Sequence, residues 1–350
     1  MKSHSASYER FLARRAPLDA VDHKDRAALL KAMETLVGNT LLVSIDGEVL
    51  RDVLELRREY GSVVYAKNLS ETPGENHYDY CYPWLLYTTE EDKRTAPETT
   101  VLLENTSGNA GVSFGWVARE MGYHTVLCAP TDIPAARKER LRESVDELVL
   151  PEQKIGFIKD TQVALLRELT ERQKSGARVV LPNHSRRHET CEAFSRIGAE
   201  VNQQLPDGER LDAAIFGIGN GTTITGIAPV LQQQHPDVTT VGFTDLHNSL
   251  IGVTGKTGVQ FPFVDKLRLD EGHCLLPKDW TNVLERYNRG RARIDTIGRT
   301  SAASLAIAKR MIEQRQKAMH ILVLFYDKLD RYANEPITTE AVYRGNGEWE

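Results

Sequence analysis

Leu211-Asp212-Ala213-Ala214-Ile215-Phe216-Gly217-Ile218-Gly219-Asn220-Gly221-Thr222-Thr223-Ile224-Thr225-Gly226 is the stretch whose reading decides the fold. Asp212 to Phe216 is brief, mostly apolar and closed by glycine, the pattern of a buried strand. Gly217, Gly219 and Gly221 then alternate with Ile218 and Asn220. Beyond Thr222, Thr223 and Thr225, apolar residues recur at Ile224, Ile227, Val230 and Leu231, which is helical spacing. A strand, a glycine turn and a helix start together make an anion cradle. First-turn N–H groups and the helix dipole point at the bound charge, and glycine lets the backbone approach it. Three glycines alone also suit a plain strand-to-helix turn. A dinucleotide fingerprint would need glycine where Thr222 stands, so the loop predicts a phosphate site rather than a dinucleotide site.

Working outward, strands and helices alternate along the chain. Val37–Val43 reads as a turn running into a strand, and strands are expected at Val63–Lys67, Thr99–Glu104, His124–Ala129, Ala177–Leu181, Val238–Phe243 and His320–Tyr326. Helices are expected near Arg26–Leu36, Glu48–Tyr60, Arg137–Leu148, Asp160–Ser175, Glu189–Gln204 and Ser301–Gln314. Asn68–Pro83 reads as irregular and aromatic, and Tyr87–Pro97 as a polar loop. This alternation argues for parallel α/β sheets, with ligands at the carboxyl ends of strands. Thr106-Ser107-Gly108-Asn109-Ala110-Gly111 is a second loop of that kind, running from a strand into a helix that ends near Met121. Its hydroxyls, amide and N–H groups suit a carboxylate. Two anion cradles on one scaffold suggest a ligand with two anionic ends.

The bulk properties exclude several classes. A chain of 350 residues has room for about two domains, each with a sound core. Hydrophobic residues at 41% and charged residues at 27% exclude disordered and fibrous classes. The net charge of −5 implies no general attraction to nucleic acid. Cys81, Cys128, Cys191 and Cys274 are widely spaced, which suits a reducing compartment without disulfides and offers no metal set. His184 and His188 lie four apart, but a capped helix start explains them better than a metal. The run Ile321–Tyr326 is too short for a membrane span, and Met1–Ser5 lacks an apolar signal core, so a cytoplasmic location is expected.

Several segments, in order, resemble one family. Val37-Gly38-Asn39-Thr40-Leu41-Leu42-Val43 is similar to the Ile-Gly-Asn-Thr-Pro-Leu-Val opening of the cysteine synthase and cystathionine β-synthase family. These are fold type II, tryptophan-synthase-β-like, pyridoxal phosphate (PLP) enzymes. Thr106–Gly111 resembles the family's Thr-Ser-Gly-Asn-Thr-Gly substrate loop. Gly217–Gly226 resembles its Gly-x-Gly-Thr-Gly-Gly-Thr-x-Thr-Gly phosphate loop. Gly298-Arg299-Thr300-Ser301-Ala302-Ala303 resembles its Gly-Ile-Ser-Ser-Gly-Ala, and Asp330-Arg331-Tyr332 its closing Gly-x-Arg-Tyr. The resemblance implies a homodimer of chains with two doubly wound α/β domains and PLP between them. It divides the chain into an arm at 1–33, a smaller domain at 60–182, a larger one at 34–59 with 183–335, and a tail at 336–350. It implies that Thr106, Ser107, Gly108 and Asn109 hold an amino acid carboxylate, Asn109 also touching the cofactor's ring hydroxyl. Gly219, Asn220, Gly221, Thr222 and Thr223 would hold the phosphate, and Thr300 or Ser301 the pyridine nitrogen. Thr222 replaces a family glycine, which narrows the cradle.

One family element is missing. The Schiff-base segment Asn-Pro-Gly-Gly-Ser-x-Lys-Asp-Arg aligns with Thr72-Pro73-Gly74-Glu75-Asn76-His77-Tyr78-Asp79-Tyr80. Pro73, Gly74 and Asp79 match without gaps, and Tyr78 stands at the lysine. Tyrosine forms no imine, but a phenol whose environment shifts its pKa can act as an acid or base. Tyr78 is therefore the candidate catalytic residue. Equally, Tyr78, Tyr80 and Tyr82 with Trp84 fill the space that the lysine side of the pocket leaves. Lys67 aligns with a different family lysine. Lys256, in Gly255-Lys256-Thr257-Gly258, is the one candidate substitute, and it reads better as solvent-facing. Three functions stay open. The chain is an enzyme of amino acid or specialised metabolism, binding an amino-acid-like substrate with PLP or a PLP-like phosphorylated ligand held non-covalently. Or it is a lysine-less binding or regulatory partner. Or it is an enzyme that uses the phosphate cradle for another small molecule.

Overall fold

A computed structural model describes residues 12–151, 157–245, 261–332, 335 and 337. Residues 1–11 of the arm, Lys256 and the tail beyond 337 lie outside the described residues. The chain forms two compact units: Met1–Asn39 with Glu71–Ala193, and Thr40–Ser70 with Phe194–Glu350. The strands among the described residues are β1 Leu42–Asp46, β2 Val63–Asn68, β3 Thr100–Asn105, β4 His124–Cys128, β5 Glu147–Val149, β6 Arg178–Val180, β7 Ala213–Gly217, β8 Thr239–Asp245, β9 Glu271–Leu275 and β10 His320–Phe325.

The second unit carries a six-stranded sheet in the order β1-β2-β10-β7-β8-β9. β1 runs antiparallel to β2, and the other pairings are parallel. Val63–Asn68, grouped by the resemblance with the smaller domain, thus pairs in this sheet, with Ile321 opposite Val64 and Val323 opposite Ala66. Buried strands covered on both faces read as continuous apolar runs, and Ile321–Phe325 and Ala213–Phe216 are such runs, fully inside. The helix Arg299–Arg315 supplies Ala302, Leu305, Ile307, Ala308 and Ile312 to the same core as Ile215, Val241, Phe243, Trp280 and Val323.

The first unit has a smaller parallel sheet in the order β5-β4-β3-β6. Its helices include Arg26–Val37, Tyr82–Lys93, Asn109–Glu120 and Ala135–Ser144. Gly111 and Gly115 let Asn109–Glu120 settle on its neighbours. A Cβ on Gly115 would lie 2.0 Å from Ser144 O, and one on Gly111 2.7 Å from Leu127.

Both sheets show the doubly wound pattern, and the expected parallel α/β class is what the structure has. Some local expectations differ. Tyr87–Pro97 is not a loop, because the helix Tyr82–Lys93 covers most of it. Pro83 sits in its first turn, where the missing N–H has no intrahelical partner anyway. The helix expected over Arg137–Leu148 stops at Ser144, and Val145 turns extended so that β5 can pair with β4. Glu48–Tyr60 is helical only as Gly47–Leu54. β9 and the helix Pro277–Asn288 were not anticipated.

Candidate functional site

In the second unit the chain runs from β7 outward through β8 and β9, then returns with β10 on the other flank of β7. That reversal makes β7 and β10 the switch point, where open α/β sheets bind ligands beyond the strands' carboxyl ends. The glycine loop leaves the end of β7. Gly221 stands at φ +84°, and a Cβ there would come within 3.0 Å of Val264 N and 3.1 Å of Phe263 C. Left-handed backbone and lack of room together require glycine. Gly221 is also the cap of the helix Thr222–Gln234, so its first-turn N–H groups open at this loop. Asn220 Oδ1 accepts from Thr222 N at 3.1 Å and from Thr222 Oγ1 at 2.7 Å. The Thr222 hydroxyl, expected to face a phosphate, is thus committed to shaping the turn. Thr222 and Thr223 are both buried.

The next strand end brings a second group to the same switch point. Ser301, fully buried in the first turn of Arg299–Arg315, accepts from Tyr326 N through Oγ at 3.0 Å. Its own proton stays available for donation, the role a pyridine nitrogen needs. Thr300 is buried beside it, and its carbonyl accepts from Ser304 Oγ at 3.1 Å. Gly298 fixes this helix start by close approach: its N–H donates to Asp327 O at 2.9 Å, and a Cβ would fall 1.9 Å from Asp327 Oδ1. Tyr326 joins the two groups, because its phenol oxygen accepts from Gly217 N at 3.0 Å. Lys67 belongs to neither: it is buried with Nζ 2.7 Å from Glu200 and 2.6 Å from Thr40 O, a structural ion pair.

The first unit repeats the arrangement. β3 and β6 flank its switch point, since the chain winds outward through β4 and β5 before β6 returns beside β3. Thr106–Gly111 leaves the end of β3. Gly108 caps the helix Asn109–Glu120, and its N–H lies 3.4 Å from Thr106 Oγ1. Ser107 and Asn109 are partly exposed. At the root, the buried Glu104 carboxylate accepts from Asn105 N at 3.0 Å and from His184 N at 3.1 Å. His184 follows β6. Its Nδ1 lies 3.3 Å from Glu104 Oε2 without making a hydrogen bond.

Tyr78 sits in a short 3-10 turn, His77–Tyr80, whose start is capped by Asn76 Oδ1 accepting from Tyr78 N at 2.9 Å. Its ring meets His184 edge-on, centroids 5.5 Å apart, and Tyr82 lies 5.8 Å from the same imidazole. Tyr78, His184 and the root of the Thr106–Gly111 loop are therefore brought together within one unit. Burial, then the neighbouring His184, pushes the His77 pKa down to about 3, so His77 is neutral. Burial holds the Tyr82 phenol well above its ordinary value. Asp79 anchors the turn from inside, accepting from Gly74 N at 2.6 Å, Ser113 Oγ at 2.5 Å and Trp116 Nε1 at 2.7 Å. A Cβ on Gly74 would strike that carboxylate at 2.4 Å, so the Pro73-Gly74 and Asp79 matches form one structural unit. Arg187, near the start of the helix His188–Gln204, pairs with Asp92 and Glu189. The motifs gave no sign of Tyr326 beside the glycine loop, and they offered His184 only as a metal ligand, not as a neighbour of Glu104 and Tyr78.

Each unit is thus an α/β unit with a parallel sheet core and a loop and helix start at its switch point, the place where such sheets bind ligands. The chain belongs to the pyridoxal-phosphate dependent enzyme family, whose model matches residues 35–316, and it is cysteine-synthase-like. A cysteine synthase of Helicobacter pylori is 23% identical over 327 residues, covering 88% of this chain and 99% of that one. A cysteine synthase of Staphylococcus aureus is 28% identical over 314 residues, covering 86% and 95%. Among solved structures, an O-ureido-L-serine synthase shares the fold with a TM-score of 0.73 at 20% identity, covering 87% of this chain and 94% of its own.

The residues present fit the two ends of pyridoxal phosphate. The Gly221 cradle, which a Cβ would fill, suits the phosphate, and the Ser301 hydroxyl suits the ring nitrogen.

Proposed function

We propose that this chain is a divergent cysteine-synthase-like enzyme of amino acid or specialised metabolism that holds PLP, or a PLP-like phosphorylated ligand, without a lysine tether. The observation that carries the reading is Gly221: left-handed, with no room for a side chain, at a helix start on the switch point of the larger sheet. When bound, PLP supplies an electron sink for a negative charge at the α-carbon of an amino acid. Gly219, Asn220, Gly221 and Thr223 hold the phosphate with backbone N–H groups, while Thr222 shapes the turn. Ser301, backed by Thr300, donates to the ring nitrogen. Thr106, Ser107, Gly108 and Asn109 orient the substrate carboxylate. Tyr78, at the lysine position, holds or moves a proton at its phenol oxygen. The chain works as a homodimer, which light scattering checks by a mass twice the 39.3 kDa of one chain.

The test is a titration of purified protein with PLP, followed in the visible spectrum with and without borohydride. Saturable binding that leaves no adduct supports the reading, and absence of any binding sinks it. A second reading, a lysine-less binding partner, is favoured by the aromatic packing of Tyr78 on His184. It predicts ligand binding without turnover of any amino acid, and a substrate screen on the PLP-loaded protein separates the two.

A further inference from the structure

Tyr326 follows β10, one strand from the glycine loop, at the switch point of the larger sheet. Its two ends are fixed. The main-chain N–H donates to Ser301 Oγ at 3.0 Å, and the phenol oxygen accepts from Gly217 N at 3.0 Å. Its ring therefore runs from the hydroxyl-bearing helix start to the root of the cradle. It is 5% exposed, and Ser301 beside it is 0% exposed. Burial raises the phenol's pKa, which keeps it neutral. A PLP molecule that meets Ser301 with its ring nitrogen and the loop with its phosphate has to span that same stretch. The cradle lies beyond Gly217 and is not closed by this bond.

We infer that Tyr326 is a specificity-determining residue: its ring occupies the pyridine half of the site, leaves the phosphate cradle usable, and favours phosphorylated ligands with a body smaller than PLP. PLP enters only by displacing the phenol from Gly217, so its binding is weak. This rests on the reading that the Gly217–Thr223 loop takes a phosphate, and the test separates the two. PLP is titrated by visible absorbance, and inorganic phosphate by calorimetry, into wild type, Tyr326→Phe, Tyr326→Val and Tyr326→Leu, each checked for folding by thermal melt. Val and Leu shorten the side chain in two shapes, so one survives if the other does not pack.

The inference expects Val or Leu to bind PLP about tenfold tighter than wild type or better. Phe keeps the ring and stays within about threefold of wild type, since it removes only one neutral hydrogen bond. Inorganic phosphate affinity is unchanged in all four proteins. If the folded Val and Leu variants bind PLP no tighter than wild type while phosphate still binds, Tyr326 supports the site instead of filling it, and the inference fails alone. If phosphate binds none of the four, the cradle reading fails and takes the inference with it.

Discussion

At Gly221 the left-handed backbone and the crowding by Phe263 and Val264 act together. Gly221→Ala should destabilise the chain by about 1–3 kcal/mol, from strain at positive φ and a contact the neighbours must yield to. Chemical denaturation checks that figure. In phosphate calorimetry Gly221→Asp should abolish binding, while Ser107→Ala, which removes one neutral hydroxyl, should leave it nearly intact. Equal losses would remove the phosphate assignment. The glycine was legible because alternation before a helical period is a local signal. Tyr326 and His184 were not, because their importance comes from which strands are neighbours. A phenol after β10 reaches Gly217 only because β10 lies beside β7, and His184 reaches Glu104 only because β6 lies beside β3. Thr222 was legible as part of the loop, but its hydroxyl direction was not, since Asn220 captures it.

Among the elements, the turn His77–Tyr80 depends most on one buried group. Asp79 accepts from Gly74 N, Ser113 Oγ, Trp116 Nε1 and the Thr72 side chain, and Asp79→Ala would leave these donors to find other partners. A loss of roughly 3 kcal/mol or more is expected, with the Tyr78 ring released from His184, read by denaturation and by near-ultraviolet dichroism. His77 gives the same turn a pH dependence. Its folded pKa, about 3, lies below the ordinary value of 6.5, so between those pH values the unfolded chain binds the extra proton. Stability therefore falls as pH drops from 6.5 towards 3 on account of this residue. His77→Asn should show a shallower fall of melting temperature across that window, and an identical slope would mean that the imidazole is solvated. The elements missed from sequence share a cause. The helix Tyr82–Lys93 hides behind Pro83 and a polar outer face, and β5 is three residues long. β9 alternates Glu271, Gly272 and His273, a weak strand signal that pairing with β8 overrides.

For the whole molecule, the α/β class and both strand–loop–helix units were readable because such units carry their signals locally, in Thr100–Glu120 and Ala213–Gln234 above all. Strand order is a long-range property. The antiparallel β1 and the placing of β2 beside β10 depend on pairings that no local pattern encodes. The proposed function turns on a glycine loop that ends β7 and on Tyr78 standing at the lysine position of the resemblance. If the register set by Pro73, Gly74 and Asp79 holds, Tyr78→Lys should let borohydride fix a pyridoxyl group at residue 78, seen by peptide mapping. The most direct measurement is on the wild-type protein: incubation with PLP, reduction with borohydride, and intact mass beside the visible titration. The account predicts weak, saturable binding and an unchanged polypeptide mass. A pyridoxyl adduct mapped to any one lysine, Lys256 included, would contradict it.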